Sequence, residues 1–235
     1  MPGNNRFSNI IENDEIRGFL SIISYDTSVI IFDLDNTVGW PGTYLGSDQW
    51  FMRLFEYLGH ALTDKSEITN LAVALYYEVQ RQSKMQAVED KVILLIRCLQ
   101  SIGYPVIALT SRGQDIAEAT SRQLASIGLN FDDIIFCDGK PKGNVLKNWI
   151  SLNKPDWQKA VMIDDKEKHL CCVSDALSPL GISFKGLRYS RMDTFFAKDD
   201  NCNQVHQSLM QFTYFSEPVK RSLMPILDSY QPHSP

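Results

Sequence analysis

Nothing in this sequence approaches a membrane span. Its longest apolar candidate, Val92 to Leu99, is broken by Arg97, whereas a hydrocarbon core asks for ~20 consecutive apolar residues. The stretch Met1 to Arg17 is polar and mixed in charge, so it lacks the apolar segment of a secretory signal. Cysteine is scarce. Cys98, Cys137, Cys171, Cys172 and Cys202 make an odd number, and no CxxC pair occurs. That argues against a zinc site or a disulfide framework and predicts buried free thiols in a reducing compartment. The histidines, His60, His169, His206 and His233, share no ligand spacing and are expected on the surface or in packing. Positive charge is short as well. Lys and Arg number 23 against 28 Asp and Glu, a net charge of −5 with a pI of about 5.4. A general nucleic-acid binder wants a basic face, so nucleic acid is not expected as a partner. A phosphorylated substrate remains open, because a metal and a few local cations can neutralise it.

What is present is an ordinary globular balance, 44% hydrophobic and 22% charged over 235 residues. That length suits one core, or a core with an insertion. Short continuous apolar runs recur: Val29 to Phe32, Pro105 to Leu109, Ile134 to Phe136, Ala160 to Ile163, and a further candidate from Ser183 to Tyr189. Runs without alternation suit strands buried on both faces, hence a parallel sheet. Helical spacing falls between them, with Ile116, Thr120, Leu124 and Ile127 on one face. Val145, Leu146, Trp149 and Ile150 mark another helix, and Leu170, Val173, Ser174 and Leu177 a third. The alternation predicts a doubly wound α/β domain. It breaks once, over about 67 residues before the Pro105 strand. Here Ser47 offers an N-cap ahead of Trp50, Leu54, Phe55 and Leu58, and two further amphipathic faces follow, Ile68 to Val79 and Val88 to Ile102.

The best strands end in polar residues, and ligands of open α/β sheets bind beyond the carboxyl ends of the strands. Asp33, Asp35, Thr110, Lys142, Asp164 and Asp165 can therefore converge. Their types suit phosphoryl transfer. A carboxylate, Asp33, can attack phosphorus and form an aspartyl-phosphate. Two anions then approach one another, which a hard divalent cation such as magnesium offsets. Asp35 can protonate the leaving oxygen and later activate water, while its backbone carbonyl serves the metal. Thr110 can hold a phosphate oxygen, and Lys142 supplies a compact charge. The pair Asp164–Asp165 completes the metal shell. The P-loop spacing GxxxxGK[ST] is missing, although Gly139-Lys140-Pro141-Lys142-Gly143 has its residue types.

The run Phe32-Asp33-Leu34-Asp35-Asn36-Thr37 resembles the first signature of the haloacid dehalogenase-like superfamily. Thr110 after its strand looks like the second, Lys142-Gly143 before a helix like the third, and Ile163-Asp164-Asp165 like the fourth. The ordered set spans residues 29–165. Dehalogenases of that superfamily lack the second aspartate, so Asp35 points to phosphate chemistry. A finer resemblance, to the bacterial family DUF2608, rests on Asp33 to Thr37, Tyr44 to Phe51, Leu109 to Arg112 and Gly139 to Gly143. Members of that family occur in intracellular pathogens such as Legionella and include a translocated phosphotyrosine phosphatase.

The resemblance implies a magnesium-dependent phosphatase with a Rossmann-like core formed by residues 1–39 and 89–235 and a helical cap over 40–88. Asp33, Asp35, Thr110 and Lys142 are its catalytic residues, and Thr110, Ser111, Arg112 and Lys142 its substrate contacts. Asp33, Asp35, Asp164 and Asp165 hold Mg2+, with Asp165 on the metal and Asp164 in support. Lys140 competes with Lys142, which is preferred because Gly143 and a helix follow. Arg112 meets either substrate or a surface acid. No cysteine is followed by arginine at the spacing of the cysteine-based tyrosine phosphatases, so phosphotyrosine activity must come from aspartate and metal. Trp40, Tyr44, Trp50 and Phe51 either stitch the cap to the core or form an apolar wall for an aromatic phosphoester. The expected partner is a phosphotyrosine protein or peptide, the expected location the cytoplasm or a host cytosol. A small-metabolite or nucleotide phosphatase and a catalytically silent binding module are the alternatives. The tail after Arg191 is weakly periodic, with Phe195, Phe196, Leu209, Phe212 and Tyr214 expected on the core. One expectation is that the chain is the N-terminal domain of a longer protein.

Overall fold

The computed structural model describes residues 9–195 and 201–230. Its centre is a sheet of six parallel strands. They are β1 (Ile10–Asn13), β2 (Val29–Phe32), β5 (Val106–Thr110), β6 (Asp133–Phe136), β7 (Lys159–Asp164) and β8 (Ser183–Tyr189), in the order β1-β8-β7-β2-β5-β6. β2 lies in the interior, and all four of its residues, Val-Ile-Ile-Phe, are buried. It pairs with β5 on one side and β7 on the other. Its neighbours are reached by opposite crossovers, which opens a crevice at its carboxyl end.

Because side chains alternate along a strand, each buried strand feeds two apolar clusters. Ile30, Phe32, Val106, Ala108, Val161 and Ile163 meet α3 (Asp90–Ser101) and α4 (Ala117–Ser126). Val29, Ile31, Ile107, Leu109, Ala160 and Met162 meet α5 (Lys142–Asn153) and α6 (Glu167–Leu177) on the other face. The expected doubly wound α/β architecture is therefore the observed one.

Between β2 and β5 the chain leaves the sheet. β3 (Gly39–Trp40) and β4 (Gln86–Ala87) pair antiparallel, so the chain departs and returns at neighbouring points. The intervening α1 (Asp48–Gly59) starts at Ser47, whose hydroxyl accepts from the Trp50 amide at 3.0 Å. Then α2 (Lys65–Gln82) starts at Asp64, whose carboxylate accepts from the Glu67 amide at 2.8 Å. Both caps satisfy amide groups that a helix start leaves without partners.

Two features differ from the sequence reading. Ile10–Asn13 is a strand, on the sheet edge beside β8. The tail folds into α7 (Cys202–Gln211) and α8 (Glu217–Ser229), and these join α1 and α2 rather than the sheet. Trp50, Leu54, Leu75, Val79, Val205, Leu209, Leu223 and Leu227 share one buried cluster. Of the tail residues expected on the core, Leu209 is buried in that cluster and Phe212 packs beside it. Tyr214 and Phe195 are exposed, Phe195 with its ring against Trp40. Phe196 lies outside the described residues.

Candidate active site

Strand register brings the signature residues together. Phe32 pairs with Ile163 across β2 and β7, so Asp33 and Asp164 extend from adjacent strands at one level. Thr110, the last residue of β5, lies on the opposite side of β2. Asp33 is 5% exposed, and Thr110 and Asp164 are fully buried.

Lys142 enters from the first turn of α5. Its Nζ donates to Asp33 Oδ1 at 2.5 Å and to Asp164 Oδ2 at 2.7 Å. Lys142 is buried, whereas Lys140 is exposed. Gly143 lets Lys142 reach this point: a Cβ on it would lie 2.1 Å from the Cys172 carbonyl oxygen of α6.

Asp164 is also gripped by His169, whose Nδ1 lies 3.0 Å from Oδ1, and by the Lys166 amide at 2.8 Å. Burial alone would raise its pKa. Lys142 and His169 outweigh that and hold the carboxyl down at about 2. Asp33 goes the other way. Burial and the nearby Asp164 charge raise it to about 7 in spite of Lys142. Asp165 is likewise raised well above the carboxylate range by burial and by Asp33 and Asp164. It accepts a hydrogen bond from Asn36 Nδ2 at 3.3 Å. Asn36 takes a left-handed backbone, φ 62°, a conformation asparagine tolerates better than most residues.

Asp33, Asp164 and Asp165 present carboxylate oxygens within 4.8 Å of one another. Three crowded acids face one buried lysine, and two of them resist ionisation. A donor set made only of hard oxygens suits a hard divalent cation such as magnesium, which would relieve that repulsion. Asp35 stands apart from this cluster through its side chain.

Both Asp35 oxygens accept from one guanidinium. Arg112 Nη2 donates to Oδ1 at 2.7 Å and Nε to Oδ2 at 3.0 Å. Burial would raise the Asp35 carboxyl, but Arg112 more than offsets it and keeps it below its ordinary value. The sequence reading left Arg112 between substrate and a surface acid, and counted it among the substrate contacts. Its partners are buried and internal: besides Asp35, Thr120 Oγ1 at 3.1 Å and Gln123 Oε1 at 2.6 Å. Ser111 is exposed at the rim, and the Thr110 hydroxyl accepts from the Arg112 amide at 3.2 Å.

Sequence reasoning missed several neighbours. His169 was expected on the surface or in packing; its contact with Asp164 depends on where α6 begins. Lys166 directly follows the acidic pair, and its Nζ bonds Asp48 on α1 at 2.7 Å. Asp48 and Asp165 raise its pKa against the effect of burial. Tyr76 of α2, 8% exposed, lies among the charges of Asp35, Arg112, Asp48 and Asp33. Burial first, and then those carboxylates, push its phenol far up.

The family described as "Protein of unknown function (DUF2608)" has a model that matches residues 7–134 and 132–224. A Chlamydia pneumoniae protein described as a putative outer membrane protein is 23% identical over 226 residues, 87% of this chain and 83% of its own. Among solved structures, a haloacid dehalogenase-like hydrolase from Streptococcus pneumoniae has a TM-score of 0.48 at 15% identity. The match covers 75% of this chain and 100% of that one. The haloacid dehalogenase domain of the Legionella pneumophila effector Lem4, an inactive mutant, has a TM-score of 0.42 at 12% identity, over 79% of this chain and 99% of that one.

Proposed function

The chain belongs to the DUF2608 family, and from that premise we propose that it is a magnesium-dependent phosphomonoester hydrolase working through a phospho-aspartate on Asp33. One observation carries this reading: Asp33, Lys142, Asp164 and Asp165 meet at the carboxyl end of the central strand. A nucleophile, a fixed cation and a set of oxygen ligands are what phosphoryl transfer requires.

Asp33, Asp164 and Asp165 would hold Mg2+, together with the backbone carbonyl of Asp35. When bound, the ion neutralises charge on the phosphoryl oxygens. The chain's own groups do the rest. An Asp33 oxygen attacks phosphorus, and the bond to the leaving oxygen breaks with its electron pair. A phenolate takes its proton from solvent, whereas an alkoxide takes it from a protonated Asp35. The Asp35 carboxylate then removes a proton from water, which it returns to solvent where none was donated before, and the resulting oxygen attacks phosphorus. The bond to Asp33 breaks, phosphate leaves, and the Asp33 carboxylate is restored. Lys142 orients Asp33 and balances charge throughout. Thr110 is assigned a phosphoryl oxygen, as is Ser111 at the rim.

The Arg112 clamp favours aryl esters. A carboxylate whose two oxygens both accept charged hydrogen bonds is a poor proton donor. A phenol, with pKa ≈ 10, leaves with little proton help, whereas an aliphatic alcohol needs much more. Tyr76, its ring tilted against that of Phe51 with centroids 4.7 Å apart, supplies an aromatic edge near Asp35. A phosphotyrosine protein or peptide is therefore the proposed substrate, with residues 40–88 acting as cap. A small-metabolite phosphatase is the second reading, favoured by the Lys166–Asp48 pair that fastens α1 beside the site.

The test is release of phosphate from phosphotyrosine and phosphoserine peptides and from a metabolite panel, with magnesium and with a chelator. Preference for phosphotyrosine, lost with the chelator and lost in Asp33→Asn with the fold intact, is the expected result. Retained activity in Asp33→Asn refutes the phospho-aspartate, and equal or opposite peptide preference refutes the substrate class.

A further inference from the structure

The buried side of Arg112 leads away from the site. Gln123 of α4 accepts from Arg112 Nη1 through Oε1 at 2.6 Å. Its Nε2 donates to α2, to the Gln80 backbone oxygen at 2.9 Å and to Gln80 Oε1 at 3.2 Å. Gln80 Nε2 in turn donates to the Gly46 carbonyl at 2.6 Å. Arg112, Thr120, Gln123 and Gln80 are all 4% exposed or less, and each bond is made in a low-dielectric interior where a broken one is costly. Gly46 lies directly before Ser47 and Asp48, the start of α1. It sits flat on α2: its φ is +81°, and a Cβ there would come within 2.9 Å of Val79 Cγ1. Asp48, two residues on, reaches back to Lys166 beside Asp165. The loop that opens α1 is thus held from two directions, one ending at Asp35 and the other at Lys166, next to Asp165.

We propose that Gln123 and Gln80 are positioning residues that fix Arg112, and through it Asp35, in register with the loop Gly46–Asp48, so that the seating of α1 and α2 and the orientation of Asp35 are set together. The inference rests on the phosphatase reading for its kinetic consequence only. Two glutamines suit this task. Each amide both donates and accepts, so the chain runs in one direction from Arg112 to Gly46 without adding charge. A pair of apolar residues would fill the same space between α2 and α4 but would leave Arg112 Nη1 with Thr120 alone. A carboxylate in place of Gln123 would compete with Asp35 for the guanidinium.

The kinetic arm uses Gln123→Met, which keeps volume and removes the bonds to Arg112 and to α2, and Gln80→Met, which removes only the side-chain bonds to Gln123 and Gly46 and is expected to act more weakly. If they position Asp35 through Arg112, a loosened clamp leaves Asp35 a better proton donor, so the ratio of kcat for an alkyl phosphate, which needs the proton most, to kcat for p-nitrophenyl phosphate rises about 10-fold or more. KM stays within about twofold. An unchanged or lowered ratio overturns the proposal, since general loosening of the structure does not sort leaving groups.

The second arm needs no turnover and reads the same chain from its other end. Asp35→Asn removes one of the two Asp35 oxygens that accept from Arg112. Amide exchange at Gly46 to Phe51 is then expected to speed up about tenfold or more, with α6 amides unchanged. Unchanged exchange at Gly46 to Phe51, or an equal rise in α6, overturns the proposal. If the wild-type chain hydrolyses neither ester with magnesium, the phosphatase reading fails and the exchange arm alone decides the positioning chain.

Discussion

Three carboxylates around one lysine make the site a source of strain as well as of chemistry. Asp33 keeps its proton in the fold up to about pH 7, against 3.8 in the open chain. Between those values the folded state binds more protons than the unfolded one, so stability falls as pH rises from about 4 to about 7. Asp164 acts in the opposite sense. Held at about 2, it contributes stability above pH 3.8 that is lost as pH falls through about 2. A cation that binds the ionised acids opposes the first effect, and its stabilisation grows with its occupancy. The expected outcome is that magnesium raises Tm more at pH 7 than at pH 5; a gap that does not widen with pH would mean that these acids do not hold the ion. At this scale the signature residues were legible because each stands at a strand end or a helix start. The partner of Arg112 was not. Whether a guanidinium faces substrate or Asp35 depends on Thr120 and Gln123 of α4, and no local pattern shows where α4 will lie.

The elements that place those residues depend on close approach between helices. α5 delivers Lys142 only because it packs hard against α6 at Gly143, where a Cβ would overlap the Cys172 carbonyl. The obstacle is backbone, which cannot turn aside as a flexible side chain would. Gly143→Ala should therefore push the start of α5 outward and cost about 1–3 kcal/mol, the usual price of overpacking. That is several degrees of Tm for a chain of this size, with a larger loss of activity because Lys142 moves too. A variant with wild-type Tm and activity would show that the two helices have slack. β2, β5 and β7 were readable as strands because burial on both faces leaves unbroken apolar runs. Ile10–Asn13 was not, since an edge strand of four residues with half its positions exposed has no such run. α8 was obscured by Pro225 within it and Pro218 at its start, and by an apolar face directed at other helices rather than at the sheet.

Among the described residues, the apolar packing around the sheet and that between the outer helices meet at the site. The sheet with α3 to α6 supplies the acids and the lysine. The group of α1, α2, α7 and α8 supplies Asp48, Tyr76 and Gln80. The tail belongs to the second group, with Trp50 Nε1 donating to Ser208 Oγ at 2.9 Å and the Tyr57 hydroxyl 2.9 Å from His206 Nδ1. Helices of 12 and 18 residues gain most of their stability from such packing rather than from propensity. α7 and α8 therefore bear on the acidic centre from a distance, by packing against the helices that carry Asp48, Tyr76 and Gln80. Leu209 is 1% exposed at the centre of that contact. Leu209→Ala should lower stability by about 2–5 kcal/mol, and the loss should be uneven. Amide protection is expected to fall in α1, α2, α7 and α8 while β2, β5 and β7 keep theirs, because the sheet cores do not include this residue. Magnesium binding, followed by its effect on Tm, should then persist with turnover reduced. Uniform loss of protection across sheet and helices would instead mean that the two groups unfold as one, and that the tail stabilises the acidic centre directly.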